Sequence, residues 1–493
     1  MSQIIRFHPN LRFFPAGLRG PAVSGSIAVA GALYTAAVFT LPPSLALAAL
    51  LGPPVVLAVL HRPKVGLVLL IVSNPIINST LGEGLDRVAN YLFPVLVLAV
   101  WAVRLTVRPR PMRPLPGGLH AWFLAFSVWI LFCAAFSEYP AAGMVESGRF
   151  LLLLFVLTAI WNEFSSAELK TSLALFAALM VPSAAIAVQE TMTTGVADVL
   201  FARGIQPERQ TALYENPNTF GVLTASAFVI VTAFLLRPSR GPRNASWVGG
   251  QLALGAVSLL LLAGVLVSFS RSNYLYVGVA FLVLCWVRPL TRWLSLAALG
   301  AGVLAPFVLP LPLWLVSGLR LSSGLSSREA LWEAAWRMFQ ANPWTGVGSG
   351  AEVFERLSPV HMDTDVQRVL TGYLGGGAAH NIWLTKAAEL GAVGLALTAV
   401  YFLLASAAVP RAIRRYREGD WTGGAAAAGV IGLSVGAFVE VGPTLGTGRL
   451  NELLVFQMFV LALWMGGAQA RDRRPGSAPR AAKGSIPPSV PGT

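Results

Sequence analysis

One pattern runs from the first third of the chain to near its end. Apolar runs of about 20 residues, the length a helix needs to cross the hydrocarbon of a bilayer, are parted by short polar turns. They fall at 22–41, 43–60, 65–80, 88–107, 119–137, 144–161, 172–190, 218–236, 247–268, 273–288, 292–316, 380–409, 422–440 and 450–468. Inside hydrocarbon every backbone N–H and C=O must find its partner within the protein, and a helix meets that demand segment by segment. The chain is therefore expected to be an all-α polytopic membrane protein with about 12–14 spans; Asn74-Pro75 breaks the run at 65–80. Composition agrees: 12% of residues are charged, against about 25% in soluble domains.

The net charge of +14 would suit a nucleic-acid partner, but its placement argues against one. With fourteen spans and an inner N-terminus, the basic clusters share one side: Arg6/Arg12/Arg19, Arg62/Lys64, Arg104/Arg108/Arg110/Arg113, Arg237/Arg240/Arg243, Arg288/Arg292, Arg411/Arg414/Arg415/Arg417 and the tail from Arg471. Lys and Arg in short loops orient a membrane protein. The basicity is a topology signal that puts both termini in the cytoplasm, and no nucleic-acid partner is expected. The first apolar run has no A-x-A-like cleavage site and leads directly into another, so no removable signal peptide is expected. Cys133 and Cys285 fall at different depths of different helices, too far apart for a disulfide, and read as small apolar core residues.

Polar residues concentrate in two outer stretches, 189–218 and 317–379, which divides the chain into four parts. Residues 1–316 form an N-terminal helical bundle, 317–379 a large outer loop, 380–470 the last spans, and 471–493 a disordered cytoplasmic tail rich in Arg, Pro, Ser and Gly. Within the loop, "SSREALWEAAWRMFQANP" predicts a helix. Ser326 stands three residues before Glu329, as in a capping box, and Pro343 closes the segment. Arg328, Trp332, Ala335 and Phe339 share one face at helical spacing. An amphipathic helix on the membrane surface accounts for the aromatics. It does not account for an arginine beside them.

A few residues could carry chemistry. "SFSRSNY" (268–274) puts Arg271 in a very short outer hairpin. It either snorkels to the headgroups or offers a guanidinium fork to phosphate. His380 stands where a spanning helix begins, and the helix dipole there favours a neutral, proton-accepting ring. The bland alternative is an interfacial histidine with a backbone partner. Lys386 and Glu389, spaced i, i+3 inside the span, either neutralise one another or mark a functional site. "GVGSG" (346–350) fits a tight turn and matches no phosphate-loop pattern. "HMDTD" offers His361, Asp363 and Asp365 to a metal, although such loop carboxylates are usually solvated; no metal site and no cofactor are expected.

Taken together, Trp332, Ala335, Phe339, Pro343, Gly346, Gly348, Gly350 and Phe354, followed by His380-Asn381, Leu384, Glu389, Gly391 and Gly394, resemble the signature of the O-antigen ligase and O-antigen polymerase family. The resembling block spans about 260–410. "SFSRSNYLYVG" resembles the family's arginine-bearing turn, and "YENPNTFGVLTA" (214–225) its Asn-Pro-Asn start of a span. The resemblance implies a GT-C-like, metal-independent glycosyltransferase. Its donor would be a glycan on undecaprenyl diphosphate, its acceptor a hydroxyl of a lipid or glycan, and its surroundings the lipids of the cytoplasmic membrane, with the site facing outward. It maps the essential arginines onto Arg271 and Arg328 and the essential histidine onto His380. Arg203, Arg209, Asn216, Asn218, Asn381 and Glu389 are the expected substrate contacts. Ligase-type transfer and polymerisation of repeat units both fit. A polar-solute transporter or flippase is the rival outside enzymes, although such proteins place ionisable groups near the midplane of repeated halves.

Overall fold

The computed structural model describes residues 43–73, 91–195, 210–214, 216–238, 244–287, 292–293, 326–362, 378–440, 442–445 and 450–472. Among these the regular structure is helical. In chain order the helices are α1 (Pro43–His61), α2 (Pro63–Val72), α3 (Phe93–Val107), α4 (Leu119–Ala135), α5 (Pro140–Glu163), α6 (Ser166–Thr194), α7 (Pro217–Leu235) and α8 (Ala245–Val267). There follow α9 (Arg271–Trp286), α10 (Ser326–Ala341), α11 (Ala351–Leu357), α12 (Ile382–Ser406), α13 (Val409–Arg417), α14 (Trp421–Gly436), α15 (Gly442–Leu445) and α16 (Leu450–Asp472). Each apolar run that falls on described residues coincides with a helix. The run at 22–41, most of that at 292–316, and the tail beyond Asp472 lie outside the described residues.

Among the described residues six helical stretches are long and apolar enough to cross a membrane, and five shorter apolar helices accompany them. The chain is an all-α polytopic membrane protein. α7 is the most enclosed of the long helices, with 72% of its apolar window buried, because α6, α8, α9 and α14 all pack against it. Small residues make the tightest contact. α14 reads "WTGGAAAAGVIGLSVG" and lies along α9, where Gly432 leaves room for the Tyr276 ring. Close approach of this kind is how helices associate where apolar burial gives little drive. Cys133 and Cys285 are buried and form no disulfide, as expected.

The two ends of the bundle differ in chemistry. One gathers ion pairs between basic and acidic residues: Lys64–Glu168 at 3.0 Å, Lys170–Asp420 at 2.8 Å and Arg415–Asp420 at 3.1 Å. Asp420 also caps α14 through the Thr422 amide. Burial alone would raise the Asp420 pKa; Lys170, Thr422 and Arg415 outweigh it and hold the carboxyl below its usual range. At the other end three helices begin, α7, α9 and α12, and α10 lies against α12 there. Helix N-termini carry partial positive charge and unpaired N–H groups, so this end is predisposed to anions.

α10 follows the range expected from its sequence, ending at Ala341 before Pro343. Its packing is more extensive than a surface helix requires. Leu331, Ala334, Ala335 and Met338 are fully buried, and Leu331, Ala335 and Met338 form a satellite core with Val353, Phe354, Ala379 and Ala388. The helix is docked on the bundle rather than afloat in the interface.

Candidate functional site

The site is built where the chain turns into α12. Asn381 is the N-cap, its Oδ1 accepting from the amides of Trp383 and Leu384 at 3.0 and 3.2 Å. One residue earlier, His380 has φ 51°, a left-handed conformation uncommon for residues other than glycine. Bonds on both sides hold the backbone around it. The Trp332 indole of α10 donates to the Ala379 carbonyl at 2.9 Å, and the Ile382 amide donates to the Ala437 carbonyl at 2.9 Å. Strain of this kind persists only where the surroundings over-determine it, and it clusters at functional sites.

The His380 Nδ1 faces Glu440 Oε1 at 2.8 Å. Glu440 follows α14, with its amide bonded to the Gly436 carbonyl at 3.0 Å. Its second oxygen accepts from the Asn218 amide at 3.3 Å and lies 3.6 Å from Arg328 Nη2. Arg328 also donates to the Val439 carbonyl. Four segments thus converge on one carboxylate: the start of α7, the first turn of α10, the start of α12 and the end of α14. His380 is 29% exposed, Glu440 and Arg328 each 17%. The cluster is desolvated yet open to a solute. It also explains the arginine on the aromatic face of α10, since Arg328 and Trp332 are the two side chains by which α10 grips the site.

Other expected residues fall around this centre. Asn216 caps α7, its Oδ1 accepting from the Asn218 amide at 2.8 Å, with Pro217 as the first helical residue. The Asn-Pro-Asn sequence therefore starts the helix and delivers Asn218 to Glu440. Arg271 is the half-buried first residue of α9, after Phe269 at φ 46°. Its turn is tied to the site by Asn273, whose amide donates to the Asn218 carbonyl at 3.3 Å. Glu389 lies elsewhere: it is fully buried, with Lys386 Nζ at 2.6 Å and Ser349 at 3.2 Å. Arg203, Arg209, Asp363 and Asp365 lie outside the described residues; His361 Nδ1 lies 2.9 Å from the Leu357 carbonyl. Among the described residues no group of three or more His, Cys, Asp or Glu side chains stands where a metal ion could be held.

Sequence reasoning missed Glu440, the hub. The signal was a lone carboxylate at the edge of an apolar run, the position at which ionisable groups are functional candidates.

A bundle that spans a membrane and gathers histidine, arginine and glutamate beside three helix N-termini defines a polytopic membrane protein with an anion-suited site at one end. The family model described as O-antigen ligase matches residues 256–399, so that stretch of the chain is similar to the O-antigen ligase family. The matched region holds Arg271, Arg328, His380, Asn381 and Glu389, while Asn218 and Glu440 lie outside it. No curated protein matches the chain. The domain supports a glycan-transferring role of the ligase or polymerase type.

Proposed function

We propose that the chain is a metal-independent, inverting glycosyltransferase. It moves a glycan from undecaprenyl diphosphate onto an acceptor hydroxyl at the outer face of the cytoplasmic membrane, in the manner of an O-antigen ligase. The observation that carries this reading is the convergence of His380 and Arg328 on Glu440. A carboxylate beside Nδ1 accepts a hydrogen bond from the N–H there, which keeps the proton on Nδ1 and leaves the Nε2 lone pair for a substrate. The acceptor hydroxyl gives its proton to Nε2 as its oxygen attacks the anomeric carbon. The C–O bond to diphosphate breaks on the opposite face, its electron pair leaves with the diphosphate, and the anomeric configuration inverts.

The leaving diphosphate accumulates negative charge, and stabilising such charge is where enzymes gain most. Arg271 and Arg328 supply two guanidinium forks, and the N-termini of α7, α9 and α12 add partial positive charge. At 3.6 Å the Arg328–Glu440 contact is longer than a hydrogen bond, so an arriving diphosphate can take the guanidinium without breaking a tight pair. Glu440 then stabilises the imidazolium that forms on His380. Arg203 and Arg209 are further contacts for an anionic substrate. The excess of Lys and Arg at the opposite end favours the orientation with both termini in the cytoplasm.

Purified protein supplied with lipid-linked glycan, with and without a lipid or glycan acceptor and in excess EDTA, tests the reading. One acceptor-dependent product that persists in EDTA is the expected result. A ladder from donor alone makes the protein a polymerase. Loss in EDTA with rescue by one divalent ion refutes the arginine-only mechanism. No transfer, with solute uptake by vesicles containing the protein, replaces the enzyme with a transporter.

A further inference from the structure

The buried charges of α12 have no part in the chemistry just described. Lys386 and Glu389 are fully buried, 2.6 Å apart, within a membrane-spanning stretch. Glu146 and Arg149 of α5 form a second pair at 2.8 Å, with side chains 2% and 12% exposed. Buried pairs of this kind rarely stabilise a fold more than well-packed apolar residues would. Their use here needs another reason, and the neighbouring backbone gives one.

α12 is broken at Gly391, with φ 67° and ψ −164°. Backbone groups that leave the helical pattern inside a membrane must be satisfied by protein, and the loop after α10 does this. The amides of Val347 and Gly348 donate to the carbonyls of Ala388 and Glu389 at 2.9 and 3.0 Å, and the Ala392 amide donates to the Pro343 carbonyl at 2.8 Å. Trp129 takes the Leu390 carbonyl at 3.0 Å. The two backbones touch: a Cβ on Gly346 would lie 2.3 Å from the Glu389 carbonyl carbon, and one on Gly391 would lie 2.3 Å from that of Trp344. Both glycines have φ 67°. The Glu389 side chain joins the two partners, bonding Ser349 of the loop at 3.2 Å and Lys386 of the bundle at 2.6 Å.

We propose that Glu389, held by Lys386 and bonded to Ser349, is a positioning residue: it locks the loop at the C-terminal end of α10 to the broken turn of α12 and so sets where Arg328 stands relative to His380. The proposal rests on the reading of these two residues as the transfer site. From Arg328 to Ala341 the helix rises about 20 Å at 1.5 Å per residue. A tilt of about 3° at the locked end moves the guanidinium by about 1 Å, a displacement that can cost on the order of 100-fold in rate. Trp332 and Arg328 secure only the far end of this lever. The lock fixes its angle.

Replacing Glu389 outright strands a buried ammonium and risks the fold, so the test uses Ser349→Ala, which deletes one hydroxyl. Spin labels on Glu333→Cys in α10 and Leu403→Cys in α12, both exposed, report the angle, the native cysteines being buried. A tilt of about 3° moves Glu333, about 12 Å from Ala341, by about 0.6 Å, so Ser349→Ala is expected to shift or broaden that distance distribution by about that much or more and to lower kcat roughly 10- to 100-fold. KM for the lipid-linked donor should change less than about 3-fold, because this is a loss realised in the transition state. A shifted distance in a protein whose wild type transfers nothing would uphold the lock and refute the transfer reading. With an active wild type, an unchanged distance overturns the lock, and a shifted distance with unchanged kcat overturns its link to Arg328.

Discussion

Two charge clusters lie along the first three turns of α12 and are opposites in everything but composition. The one at its start, His380 with Glu440, Arg328 and Asn218, is drawn from four chain segments and keeps part of each charged side chain exposed. The one two turns deeper, Lys386 with Glu389 and Ser349, has no exposure at all. Exposure decides what each can do. A partly open carboxylate can exchange partners when a charged substrate arrives. A closed pair cannot, and its strength as an interaction in low dielectric is spent on holding geometry.

The largest effects should come from removing the open cluster's cations. Arg271→Ala and Arg328→Ala are each expected to lower transfer by about 10³-fold or more, since charge stabilisation on the leaving group is usually the dominant contribution. Arg→Lys should recover only part of this, because an ammonium cannot make the bidentate grip. Initial rates with lipid-linked donor decide it, and full activity in either Ala variant would take that arginine out of the site.

Next comes the hub. Glu440→Gln keeps the shape and an acceptor for Asn218 but removes the negative charge beside His380, and a fall in kcat of about 10²-fold or more is expected, by analogy with other carboxylate-oriented histidines. Donor binding should weaken little or even tighten, since Arg328 loses a competitor. Rate and donor Kd measured together separate these effects.

In the closed cluster, stability rather than rate should respond first. Lys386→Met leaves Glu389 buried without its cation and should cost about 3–5 kcal/mol. Lys386→Met with Glu389→Leu should recover most of that stability, since an apolar pair of similar volume is often neutral, while turnover stays low because the tie to Ser349 is gone. Thermal unfolding in detergent reads the first effect and kcat the second. Recovery of both in the double variant would reduce the pair to a packing device.

The smallest effect lies at the opposite end. Asp420 has its pKa lowered in the folded protein, so its contribution is present above the unfolded value, about 3.9, and is lost as pH falls through the lower folded value. The stability difference between wild type and Asp420→Asn should therefore be constant near neutrality and shrink as pH drops below about 4. A difference that grows with acid would contradict the Lys170 and Arg415 assignment.

Much of this was legible in the chain, for physical reasons. Membrane helices must be long and apolar, so the limits of α4, α5, α7 to α9 and α12 follow from composition to within about four residues, while α6 begins six residues before its apolar run. Asn216, Pro217 and Asn381 stand where helix starts need them. Arg271, Arg328 and His380 could be singled out because charge beside hydrocarbon is costly without a use. What could not be read was which charges meet. Glu440 is 60 residues from His380, and nothing local marks their contact. Glu389 met the criterion of an ionisable residue inside a span, yet only packing shows that it faces Lys386 and Ser349. "GVGSG" reads locally as a tight turn, and its backbone pairing with the break in α12 belongs to tertiary structure alone.

The open cluster is proposed to perform the transfer, with His380 taking the acceptor's proton. Single-turnover rate and donor Kd of His380→Ala, measured on folded protein with a lipid-linked glycan and saturating acceptor, test it most directly. The expected result is a rate lower by about 10²- to 10⁴-fold, the usual contribution of a general base, with donor Kd within about 3-fold of wild type. A wild-type rate, or a loss confined to donor affinity, would contradict it.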